Sequence, residues 1–80
     1  MFNNSINQNN KIDNREITLK MFPLKNSENM IYTFIWWSDG KRQEFISHRD
    51  DKTGALEEFR GVYPHSKGCI INEVVAERHN

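Results

Sequence analysis

Cys69 and His65 stand four residues apart, with His48 and His79 elsewhere in the chain. These side chains are the ones able to serve as nucleophile, base or metal ligand. A Cys69 thiolate with His65 as base would be nucleophilic catalysis, and the same groups are ligands that zinc takes tetrahedrally. The spacing argues against both. Structural zinc sites use paired ligands, C-x2-4-C or H-x3-5-H, whereas this chain has one cysteine and three scattered histidines. Nothing in the sequence orients His65 as a base, so Cys69 reads as a small hydrophobe in the core or at an edge. Glu57 and Glu58 are adjacent, so they leave a helix on different sides and do not form an acid/base pair. Gly54, Gly61 and Gly68 are isolated punctuation rather than a phosphate cradle. The expectation is a non-enzyme with no catalytic residue, no metal and no cofactor.

Recognition chemistry is better represented. Residues 30–46, MIYTFIWWSDGKRQEFI, carry both tryptophans and two adjacent basic residues around Asp39-Gly40. Trp and Arg are enriched at binding hot spots, and Trp37 facing Arg42 across a hairpin could make a cation–π contact. Trp37, Lys41, Arg42, His48 and Arg49 could also stack bases and touch phosphates, as in small sheet-based RNA binders. Asp39, Glu44, Asp50 and Asp51 lie among them and would repel a phosphate backbone. The chain holds 11 basic and 11 acidic residues, and zero net charge supplies no field to steer it towards nucleic acid or an anionic membrane.

The elements that must position these residues follow from periodicity. The 80 residues make one domain. Residues 1–14 contain Asn3, Asn4, Asn7, Asn9, Asn10 and Asn14 and little that is apolar, which predicts a disordered tail. A folded unit over 15–77 and a polar tail over 78–80 complete the organisation. Such a unit, about 65 residues long, is near the lower end for unaided folding, and dimerisation would relieve that. Strict alternation over 15–22 predicts a strand ending at Pro23. The β-branched and aromatic run at 30–37 predicts a second strand, Asp39-Gly40 a type I′ turn, and 42–47 the return strand. Asp50, Asp51 and Thr53 are helix starters, and Ala55, Leu56, Phe59, Val62 and Tyr63 form one helical stripe ended by Pro64. Residues 65–68 are a turn and 69–76 a last strand. The fold class is therefore α+β: a small antiparallel or mixed sheet of three or four strands, with one helix on one face in the order β-β-β-α-β. The last strand should run in the same direction as the third, at the edge or beside the second.

A two-residue turn sets Trp37 opposite Arg42, Trp36 opposite Gln43, Ile35 opposite Glu44 and Phe34 opposite Phe45. Tyr32, Phe34, Trp36, Gln43, Phe45 and Ser47 then face the helix. Ile31, Thr33, Ile35, Trp37, Arg42, Glu44, Ile46 and His48 face away. If Glu73 points outward, Cys69, Ile71 and Val75 go with it, and Ile70, Asn72, Val74 and Ala76 point in. The outer face would then offer Ile35, Trp37, Arg42, Ile46, Ile71 and Val75 as an interaction surface. Three covers are open: the N-terminal segment with Phe2, Ile6 and Ile12, a second copy or partner protein, or nucleic acid. The leading expectation is a small protein-binding module, an inhibitor, antitoxin-like factor or accessory regulator. The alternative is a small regulatory protein that binds RNA or single-stranded DNA. One cysteine, no signal-like start and no membrane-length apolar run lead to the expectation of a soluble cytoplasmic protein with no membrane partner.

Overall fold

The computed structural model describes residues 11–24 and 30–76. The first ten residues of the expected disordered tail and the expected polar tail over 78–80 lie outside the described residues, as do residues 25–29 and 77. Four strands, β1 (Glu16–Pro23), β2 (Met30–Ser38), β3 (Lys41–Ile46) and β4 (Ile70–Val75), form one mixed sheet in the order β3-β2-β1-β4. One helix, α1 (Lys52–Val62), links β3 to β4, and a 3-10 turn, Pro64–Gly68, follows it. The β-β-β-α-β order and the α+β class are those the periodicities predict.

The β2–β3 hairpin turns where Asp39-Gly40 predicts. Both central residues have positive φ, 54° and 78°, as a type I′ turn requires. The register follows: Trp37 pairs with Arg42, Trp36 with Gln43, Ile35 with Glu44 and Phe34 with Phe45. β1 runs antiparallel to β2, with Ile17, Leu19 and Met21 beside Trp36, Phe34 and Tyr32. It also accepts β4 in parallel on its other side. β4 does run in the same direction as β3, and it occupies the far edge.

The core lies wholly on the helix side of the sheet. Ile17, Leu19, Met21, Tyr32, Phe34 and Trp36 are buried there against Ala55 and Phe59 of α1, with Phe45, Leu56, Tyr63 and Ile71 packed around them. Phe59 is the hub: its ring stacks on Phe34 at 4.2 Å and lies 5.3 Å from Trp36 and 5.8 Å from Phe45. Such ring pairs contribute about 0.5–1.5 kcal/mol each beyond the area they bury. Val62, expected in the stripe, is half exposed, because the chain leaves the helix there and Tyr63 takes the inward position. Asp51 is the N-cap, its Oδ2 accepting from the Gly54 N–H at 2.9 Å.

Two expectations are corrected by the sheet. Residues 11–14, assigned to the tail, belong to the fold: Ile12 packs on the core cluster, and Asp13 meets the hairpin turn. β4 also presents the opposite faces from those expected. Ile71 sits beside Ile17, Glu73 beside Leu19 and Val75 beside Met21, all on the helix side, while Ile70, Asn72 and Val74 face away. The inference from Glu73 fails because this edge strand is left uncovered on its helix side at Glu73. Glu73 stays solvated there and pairs with Lys52 Nζ at 3.1 Å, with no burial cost to drive it outward. Packing of Ile71 on the core decides the register instead. Cys69 likewise packs inward, partly buried against the core.

Candidate functional site

The helix-free face is built by alternation on four paired strands. One row across it reads Glu44, Ile35, Thr18, Asn72, and the next reads Ile46, Thr33, Lys20, Val74. Trp37 and Arg42 stand together beyond the first row, at the hairpin end, and Glu16 pairs with Ile70. Trp37 is 52% exposed while its neighbour Trp36 is 2% exposed, so adjacent tryptophans serve opposite sides of the sheet. Ile46, Ile70 and Val74 are also exposed, and Ile31 and Phe22 extend the apolar surface towards the far end of β2 and β1. Thr33, at the centre, is buried although no element among the described residues lies above it, because Ile46 and Lys20 flank it in the same row. Among the described residues, nothing covers this face.

The six expected surface residues separate accordingly. Ile35, Trp37, Arg42 and Ile46 share the helix-free face. Ile71 and Val75 do not: they point to the helix side, and Ile70 and Val74 take their place. The alternation in residues 69–76 fits either parity, so no sequence signal separates the two. Of the proposed covers, Ile12 packs on the core cluster instead, and β1 is a central strand rather than a lid. Phe2 and Ile6 lie outside the described residues.

The electrostatics of the face are mixed and local. The Arg42 guanidinium runs along its own strand to Glu44 Oε1 at 3.7 Å, rather than lying over the Trp37 ring. The basic residues of the nucleic-acid reading are split between the two ends of β3. Lys41 and Arg42 begin the strand, and His48 and Arg49 follow its end. Six residues of extended chain put about 20 Å between Arg42 and His48, with Glu44 between them. The His48 N–H donates to Glu58 Oε1 at 3.1 Å, and that carboxylate also accepts from the Ser47 hydroxyl at 2.6 Å. The Ser47 bond, aided by the His48 N–H and the nearby His48 and Arg49 charges, holds the Glu58 carboxyl below its ordinary range against partial desolvation. A negative group is thus fixed beside His48 and Arg49.

The Cys69 thiol meets the backbone carbonyl of His65, 3.6 Å away, not its imidazole. No three His, Cys, Asp or Glu residues stand together as a metal site among the described residues. A feature with no forecast in the sequence is the Asp13 carboxylate. Its Oδ2 accepts from the Gly40 N–H at 3.0 Å and its Oδ1 from the Asp39 N–H at 3.3 Å, while Lys11 pairs with Asp39 at 3.3 Å. Those bonds, the Gly40 bond foremost, hold Asp13 below its ordinary value despite some desolvation. The clamp secures the turn next to Trp37.

No helix among the described residues is long and apolar enough to cross a membrane. Neither a family model, nor a curated protein, nor a solved structure matches this chain.

Proposed function

We propose that this chain is a small non-enzymatic protein-binding module acting through its helix-free sheet face, as an inhibitor, an antitoxin-like factor or an accessory regulator does. The observation that carries the reading is the asymmetry of the sheet. One face is filled by α1 and an aromatic cluster. The other displays Trp37, Ile46, Ile70 and Val74 to solvent around a partly buried Ile35, with charges of both signs between them. Apolar patches beyond a few hundred Å2 on a single chain mark interaction sites. Burying each large side chain supplies about 1.5–3 kcal/mol before association costs. Alternating apolar groups and opposite charges suit a protein surface, and a polyanion would meet Glu16 and Glu44. A cytoplasmic setting is part of the proposal, supported by a lone cysteine with no partner in its own chain.

The test is affinity capture with the wild type, Trp37→Ala and Ile46→Glu, followed by titration of the purified captured protein. Trp37→Ala should keep the circular dichroism spectrum and weaken binding at least tenfold. A partner bound equally well by both variants, or a Trp37→Ala chain that unfolds, would overturn the reading.

A further inference from the structure

We infer that β4 is a dimerisation edge, pairing antiparallel with β4 of a second copy about a two-fold axis through Asn72. This interface is the strand edge, not the sheet face of the preceding section, and it does not rest on that reading.

The two edges of the sheet differ. β3 exposes Lys41, Arg42 and Glu44, charges of the kind that keep an edge from accepting another strand. β4 reads Ile-Ile-Asn-Glu-Val-Val, and its one charge is held by Lys52 of its own chain. Ile70 and Val75 are more than 60% exposed, although each sits in an ordered strand. The Ala76 N–H donates to Met21 O on β1. Backbone groups alternate along a strand, so those of Ile71, Glu73 and Val75 point away from β1. Among the described residues no strand pairs with that side.

Of the registers open to self-pairing, the one centred on Asn72 keeps every pair over residues 70–74 inside β4 and sets no like charges against each other. A two-fold axis normal to the sheet preserves its faces, so outward residues must oppose outward residues. Centring on Asn72 sets Ile70 opposite Val74 of the second copy and Asn72 opposite its twin. Ile71 then exchanges backbone hydrogen bonds with the twin's residue 73. The free backbone groups of Ile71 and Glu73 find partners, and no like charges oppose, while Val75 falls opposite Cys69 of the second copy, whose N–H already donates to Ser66 O. Shifting the centre to Glu73 would also satisfy the backbone, but it sets two carboxylates against each other. The second copy is the occupant because the strand is complementary to itself in sequence, parity and charge. The resulting eight-stranded sheet carries both helices on one side and both Trp37 faces on the other.

The axis makes a sharp test. At a non-hydrogen-bonded antiparallel pair the two Cα atoms lie about 4.5 Å apart, within disulfide range. Full-length Cys69→Ser/Asn72→Cys treated with diamide should give a covalent dimer, and Cys69→Ser/Glu73→Cys should not. By light scattering the wild type should rise from 9.5 kDa towards twice that mass as concentration increases. Asn72→Lys, which opposes two ammonium groups on the axis, should stay monomeric with an unchanged circular dichroism spectrum. Trp37→Ala should dimerise like the wild type. A wild type that stays monomeric at millimolar concentration overturns the inference, as does cross-linking through Glu73→Cys instead. So does a dimer broken by Trp37→Ala and not by Asn72→Lys, a result that would favour the sheet face as the contact.

Discussion

Trp36 and Trp37 differ by one position and by nearly everything else. Trp36 is buried between Phe59 and Tyr63, with its ring 4.8 Å from that of Tyr63. Trp37 stands half exposed beside Arg42. The two-residue turn at Asp39-Gly40 makes this division legible in the sequence, because it sets parity for both strands at once. Trp36 Nε1 has no hydrogen-bond acceptor among the described residues, so Trp36→Phe removes volume but no hydrogen bond. That variant should leave a red-shifted emission that acrylamide quenches freely; Trp37→Phe should leave a blue, protected one. Equal quenching would sink the register. Phe59→Ala should cost about 3–5 kcal/mol in urea unfolding, since it empties the hub of the aromatic cluster. A cost below 1 kcal/mol would mean the helix is not held by that ring.

At the scale of elements, α1 is read well from the sequence and its balance of forces is testable. Asp51 caps it, but Gly54 and Gly61 both interrupt it. Alanine is a better helix former than glycine by about 1 kcal/mol. A Cβ at Gly61 meets nothing within 4 Å, so Gly61→Ala should stabilise by about 0.5–1 kcal/mol. A Cβ at Gly54 would lie 2.9 Å from Asp51 Oδ1 and 3.4 Å from Arg49 Cβ. Gly54→Ala should therefore gain less than Gly61→Ala or lose stability, because the capping carboxylate must move. Equal gains in denaturant melts would show that the cap is dispensable. β4 is the element the sequence reads wrongly. Glu73 is a sound guide to parity only where both sheet faces are defined, and at this edge the helix side is as wet as the other. Ile71 against Ile17 outweighs it.

For the whole molecule, the distant link is Asp13 to the turn at Asp39 and Gly40, which ties residues 11–14 to the hairpin. Glu58 similarly ties α1 to the end of β3 through Ser47 and His48. Both carboxyls are held below their ordinary values of 3.8 and 4.5. The stability each contributes is therefore fully present above those values and is lost as pH falls through the lower folded values. Unfolding free energy should fall with acid below about pH 4.5, and Asp13→Asn and Glu58→Gln should each flatten that limb. An unchanged slope in both variants would mean the links carry no linkage. The sequence by itself determined the element order, the hairpin register and the core face of β2 and β3, because a period and a two-residue turn are local and admit one answer. Only the tertiary structure decided that β4 joins β1 with Ile71 inward and that Asp13 clamps the turn. Those outcomes depend on which distant surfaces compete for the same contact, and no local pattern ranks them.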